Sequence, residues 1–174
     1  RGVVAIDAET GETLWMYRLN EGLRGETAPR KGPGRGVGYH REGLRETVYV
    51  ITPGYQLVAL DASTGRPRHA FGYEGVVDLK NHVGGVTDTD TASIGASSPP
   101  IVVNGVVVVG AAFSFSGAPK SPQGLKGNIT AYDAETGALR WRFNTIPQLN
   151  EVGHDTWLEG SASYTGNAGV WAPM

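Results

Sequence analysis

The 174-residue sequence has no cysteine, so thiol nucleophiles, thiolate-held metals and disulfide staples are all excluded from it. The redox compartment is left undecided by the same absence. It also lacks a charge excess of either sign: 15 basic and 17 acidic side chains leave a net charge of -2, too little field to hold a nucleic acid or an anionic bilayer. No apolar run comes near the roughly 20 residues that a membrane-spanning helix needs; the longest, around Val106 to Val109, has the length of a strand. Helical periodicity is missing as well. What remains, 40% hydrophobic and 18% charged residues, is the balance of a globular chain with a real core.

What the sequence does have is repetition. The run Ala-x-Asp-x-x-Thr-Gly-x-x-x-x occurs three times, at Ala5 to Trp15, Ala59 to His69 and Ala131 to Trp141, the middle copy ending in His where the others end in Trp. Self-similarity of this kind means one small structural unit used repeatedly. In each copy a short β-branched or apolar run precedes the Asp: Val3 to Ile6, Leu57 to Leu60, Ile129 to Tyr132. Such runs predict strands. The Asp can cap backbone N–H groups two and three residues on, and the Gly can turn the chain at positive φ. A hairpin is expected at each copy, with return strands over Thr13 to Tyr17, Arg68 to Phe71 and Leu139 to Phe143.

Further strands are predicted upstream, at Thr47 to Ile51 before a Thr52-Pro53-Gly54-Tyr55 turn, and at Ile101 to Val103 and Val106 to Val109 around Asn104-Gly105. About four strands per unit and Gly-rich turns predict an all-β fold built of β-propeller blades, a β-sandwich being the alternative. The spacings of 54 and 72 residues between successive motif Asp residues exceed the usual blade of about 40 to 50. Insertions are expected at Gly72 to Gly95, Ser114 to Gly127 and Asn144 to Gly166. The expected blade limits are 1–31 (partial), 32–95, 96–150 and 151–174 (the start of another), a partial ring of about three blades out of eight. With a strand already at Val3, no initiator Met, and another strand expected at Trp171 to Met174, the chain reads as a piece of a longer protein.

Four segments stand out between the motif copies. Arg35-Gly36-Val37-Gly38-Tyr39-His40 is basic and Gly-rich; on residue type alone Arg35 reads as a solvated neighbour of Arg24, Arg30, Lys31 and Arg41, and His40 as a packed or exposed strand neighbour. Ser97-Ser98-Pro99-Pro100 reads as a strand start, and Trp171, within Gly166 to Pro173, as a structural core Trp. His82 with Asp88 and Asp90, and His154 with Asp155, lack a third spaced ligand for a metal.

The repeat Ala-x-Asp-x-x-Thr-Gly-x-x-x-Trp resembles the tryptophan-docking motif of the eight-bladed quinoprotein dehydrogenases that use pyrroloquinoline quinone (PQQ). The resemblance implies that Trp15 and Trp141 tie neighbouring blades together and that His69 docks less well. It further implies that Arg35 contacts the quinone oxygens, that the Ser97 hydroxyl binds a PQQ carboxylate, that Trp171 stacks on the ring system, and that His40 is a further cofactor-binding residue. No metal ligand and no catalytic residue is expected in this chain, the general-base Asp belonging to a later blade. In methanol and ethanol dehydrogenases of this family the strand equivalent to Val106 to Gly110 leads into a calcium-ligating Glu, and adjacent cysteines precede the Arg. Here Ala111-Ala112-Phe113-Ser114 and Pro29-Arg30 stand in those places, which points toward the membrane-type glucose dehydrogenase branch. The implied activity is oxidation of an aldose, polyol or alcohol with PQQ and a divalent cation (Ca or Mg), electrons passing to ubiquinone or a cytochrome c, in the periplasm, with any inner-membrane anchor outside this chain. The rival readings are a non-catalytic propeller scaffold of the outer-membrane assembly type and an enzyme descendant without its cofactor.

Overall fold

Alternating apolar runs bounded by Gly-containing turns become antiparallel strands throughout the computed structural model, which describes residues 1–32, 34–113, 124–170, 172 and 174. Strands β1 (Val3–Ile6) and β2 (Thr13–Tyr17) form a hairpin. After the single helical turn α1 (Leu23–Glu26) come β3 (Gly38–Glu42), β4 (Arg45–Ile51), β5 (Gln56–Asp61) and β6 (Val76–Asp78), a four-stranded sheet in the order β3-β4-β5-β6. The short β7 (Ile94–Gly95) follows, then β8 (Ile101–Val103), β9 (Val106–Val109), β10 (Ala112–Phe113), β11 (Asn128–Asp133) and β12 (Leu139–Asn144). The second four-stranded sheet has the order β12-β11-β9-β8, and β7 pairs with β10 beside it. The stretch after β12 holds short 3-10 turns and the helical turn α2 (Ser161–Tyr164). These meanders are the blades of a β-propeller.

The motif turns close as the residue types require. Oδ1 of Asp7, Asp61 and Asp133 each accepts the backbone N–H groups two and three residues on, at 2.8 to 3.1 Å. Arg140 and these N–H groups hold the Asp133 carboxyl down at about 2 from its ordinary 3.8. The Gly that ends each turn sits at φ +77, +69 and +72, where a side chain would be strained.

Two apolar layers separate the sheets, and strand alternation assigns residues to them. Val50, Val58 and Leu60 face the β1–β2 hairpin with Val3, Trp15 and Tyr17. Tyr49, Ile51, Leu57 and Ala59, on the other face of the same strands, pack on Val107, Val109 and Tyr132.

The expected return strand over Arg68 to Phe71 is not a strand. Pairing starts at the Leu60↔Pro67 bridge and at Arg68 N–H to Ala59 O (2.9 Å), leaves the sheet, and resumes at Val76↔Val58. Pro67 has no N–H to carry the ladder forward, and residues 72, 74 and 75, all at positive φ, turn the excursion back. The missed strands β3 and β6 are short or carry glycine and charge, so alternation there is weak. Part of the expected Ser114 to Gly127 insertion, and Trp171 and Pro173 of the expected final strand, lie outside the described residues.

Because of this detour the two inter-sheet joints differ. At the first, the Trp15 indole lies over the next motif turn: its Nε1 donates to Ala62 O at 2.9 Å, and a Cβ on Gly65 would stand 2.5 Å from the ring. At the second, His69 is exposed and faces Glu74 instead. Its place is taken by the Tyr49 hydroxyl, donating to Ala134 O at 2.6 Å, by Gly72 N–H donating to Thr136 O at 2.9 Å, and by the Phe71 ring beside Gly137. Trp141 on β12 is 46% exposed. One consequence can be measured by urea unfolding. Gly11→Ala, with nothing within 4 Å of the added Cβ, costs about 1 kcal/mol for its left-handed backbone. Gly65→Ala carries that cost plus about 1 to 3 kcal/mol of overpacking against Trp15. Equal losses would show that the indole does not clamp that turn.

Candidate functional site

Antiparallel order sorts the connections onto two rims. The starts of β3, β5 and β8 and the ends of β2, β6 and β12 share one rim, and the Asp-x-x-Thr-Gly turns occupy the other. The long connections 18–37, 79–100 and 145–170 therefore all lie on the rim opposite the motif turns. Loops gathered on one end of a rigid scaffold are where binding groups concentrate.

Arg35 and Ser97 come together there. Arg35 is three residues before β3, Ser97 four residues before β8, and the Arg35 N–H donates to Ser97 O at 3.1 Å. The two strands touch at Gly38, where a Cβ would stand 3.0 Å from Pro100 O and 3.2 Å from Val102 Cγ2. A side chain at 38 would require Pro100 or Val102 to give way by a few tenths of an ångström, which suits a Gly inside this strand. The Arg35 side chain is exposed and Ser97 half-buried. His40 is half-buried two residues past Gly38, opposite Thr47. Trp171 lies outside the described residues. The segment before it packs by backbone: a Cβ on Gly110 would fall 2.3 Å from Val170 O, and one on Gly127 2.1 Å from Ala168 O. Tyr55, buried, donates its hydroxyl to Gly110 O at 3.0 Å and so fixes the end of β9.

The structure adds charged residues that no sequence motif marked. Arg1 donates Nη1 to Ile51 O (2.9 Å) and Ala96 O (3.1 Å), Nη2 to Arg30 O (2.9 Å) and Nε to Gly32 O (3.0 Å). Arg30 in turn donates Nη2 to Phe113 O at 2.9 Å. Arg24, 8% exposed, binds Asp78 through both ends of its fork and Gly54 O through Nε. Glu21 accepts from the Thr52 hydroxyl and from Gly54 N–H. Lys80 is 1% exposed, its Nζ on Thr89 O at 2.7 Å, and burial, with Arg24 nearby, pushes its pKa down. An open cavity of about 700 Å³ lies on this rim, lined by the charged groups Arg1, Arg18, Glu21, Glu26 and Lys31.

His82, Asp88 and Asp90 do not gather around a common point. His82 turns to Tyr132, Nδ1 to Oη at 2.9 Å. Burial holds the His82 pKa below its ordinary 6.5 and raises that of Tyr132 to about 12, so a neutral imidazole and a neutral phenol share this bond. Asp88 is spent on Asp90 N–H and the Thr91 hydroxyl. Among the described residues no three His, Cys, Asp or Glu side chains converge on a metal position.

Whether this rim suits a planar quinone bearing several carboxylates is a question of donor chemistry. A guanidinium at Arg35 and a hydroxyl at Ser97, tied to each other by backbone, are donors of the kind such a group needs. The donor set is compatible with it.

Residues 1–174 match the family described as "PQQ: Glucose/ethanol/alcohol dehydrogenase, beta-propeller domain". The chain is 29% identical over 180 residues to the glycerol dehydrogenase large subunit of Gluconobacter oxydans, covering 99% of this chain and 23% of that one. It is 32% identical over 147 residues to quinohemoprotein alcohol dehydrogenase ADH IIB of Pseudomonas putida, covering 83% and 18%. Quinoprotein glucose dehydrogenase of Gluconobacter oxydans is 26% identical over 172 residues, covering 87% and 20%. The chain thus spans about a quarter or less of the curated relatives it matches. Among solved structures, quinohemoprotein alcohol dehydrogenase ADHIIG from Pseudomonas putida HK5 superposes with a TM-score of 0.55 at 33% identity, over 84% of this chain and 18% of that one. A europium-containing methanol dehydrogenase shares the fold, with a TM-score of 0.56 at 22% identity, over 82% and 21%.

Proposed function

Since the chain belongs to the PQQ glucose/ethanol/alcohol dehydrogenase β-propeller family, we propose that the rim carrying Arg35 and Ser97 is one wall of a PQQ site in a dehydrogenase for polyols, aldoses or alcohols. The observation that carries this is the Arg35 N–H to Ser97 O bond. It ties the two residues together by backbone just before β3 and β8 begin.

The chain's own residues bind and orient. Arg35, permanently cationic, offers a fixed fork to the quinone oxygens and favours the electron-rich reduced state. Ser97 donates a hydroxyl to a carboxylate, Trp171 supplies a stacking face, and His40 borders the wall. When bound, PQQ supplies the quinone that takes up two electrons from the substrate. Its divalent cation, Ca or Mg, and the general base belong to other blades in this reading. A ubiquinone or cytochrome c acceptor, supported by relatives named as quinone-linked and quinohemoprotein enzymes, and a periplasmic location complete the proposal.

The test is reconstitution of the intact protein with PQQ and Ca or Mg, followed by dye reduction with glycerol, glucose and ethanol. Turnover that requires PQQ and at least one of these substrates is expected. PQQ that fails to bind, with no turnover on any of them, would leave the scaffold reading in its place.

A further inference from the structure

We propose that Arg1 is a positioning residue, which sets the spacing of Arg35 and Ser97 without touching the cofactor. The inference rests on the reading of those two residues as cofactor contacts.

The geometry is unusual for an arginine. Among the described residues its guanidinium bonds end on backbone carbonyls: Arg30 O and Gly32 O in the loop that leads to Arg35, Ile51 O at the end of β4, and Ala96 O, the residue before Ser97. One rigid, planar fork therefore joins the approaches to both donors to the sheet between them. The stem completes the wedge, since a Cβ on Gly34 would stand 3.4 Å from Arg1 Cδ. The two chains it grips then bond to each other, Arg35 N–H to Ser97 O. Arg30 extends the same brace to Phe113 O on β10, and β10 pairs with the β7 strand that precedes Ser97. The chain has no cysteine, so guanidinium-to-carbonyl bonds brace a loop with no covalent link of its own.

Charge alone would not serve. Lysine is a point charge with three rotating donors, and cannot span four carbonyls in three segments. The loss of one or two such bonds is worth about a tenfold change in an equilibrium constant.

The experiment uses the intact protein with Arg1→Lys and Arg1→Met beside Arg35→Ala and Ser97→Ala. PQQ affinity is read by fluorescence titration, exchange of the Arg35 amide hydrogen by mass spectrometry, and folding by thermal midpoint. Expected for Arg1→Lys are an unchanged fold, Arg35 amide exchange faster by about tenfold, and PQQ binding weaker by about tenfold, with substrate KM unchanged at saturating PQQ. Arg1→Met moves both readouts further. Faster exchange with unaltered PQQ affinity would make Arg1 a structural brace only and overturn the proposal. So would unaltered exchange, or a loss of affinity in both Arg1 variants that simply follows a lower thermal midpoint. If Arg35→Ala and Ser97→Ala leave PQQ affinity untouched, the cofactor wall itself has been misassigned, an outcome separable from failure at Arg1.

Discussion

If Arg35 faces the quinone as proposed, Arg35→Ala should lower kcat of the PQQ-reconstituted protein by about 10² to 10³, the effect of removing one fixed donor from developing negative charge. The side chain is exposed, so stability should change by less than about 0.5 kcal/mol, and a thermal midpoint beside the rate separates function from folding. Arg35→Lys should recover only part of the loss, because an ammonium cannot reproduce the two parallel N–H donors of the fork. Both variants keep the backbone bond from residue 35 to Ser97 O, which makes the contrast a test of the side chain alone. A kcat within threefold of the parent, with PQQ bound, would remove Arg35 from the reacting centre.

Asp78→Ala should be the costliest single change to the fold, about 3 to 5 kcal/mol by urea denaturation. The reason is a buried charge left without its partner. Arg24 is 8% exposed and meets Asp78 through both ends of its fork. Asp78 Oδ1 also accepts Lys80 N–H at 3.0 Å, and its charge opposes the downward pull on the buried Lys80 ammonium. One carboxylate thus serves two buried cations. The double change Arg24→Met with Asp78→Ala should regain part of the loss, since the stranded guanidinium is gone. If the double variant is as unstable as Asp78→Ala, the charge is not the cause. The ion pair also ties the 18–37 connection to β6, so its loss should loosen the loop that leads to Arg35.

The sequence made the joints of this fold readable because each motif is local: Asp7, Asp61 and Asp133 cap residues two and three positions away, a relation visible along the chain. It placed β8 and β9 to the residue around Asn104-Gly105 for the same reason. The detour at 69–75 was hidden, because Pro67 stops one ladder while the strand that replaces it, Val76–Asp78, is only three residues long. Arg35 and Ser97 could be singled out only through resemblance, since their meeting depends on two chain segments 62 residues apart. Arg1, Arg24 and Asp78 gave no signal at all. The partners of Arg1 and Arg24 are backbone carbonyls and a carboxylate 29 to 95 positions distant, and no local pattern encodes such a bond.

The two rims also have a practical consequence. The turn at Gly43-Leu44 lies on the motif rim, with Leu44 96% exposed, while Arg35, Ser97 and the long connections leave the opposite rim. A surface tether or electrode linker fixed at position 44 would hold the molecule with its loop-bearing end toward the solution, so orientation on a support can be chosen by one substitution that touches neither a joint nor the rim of Arg35 and Ser97.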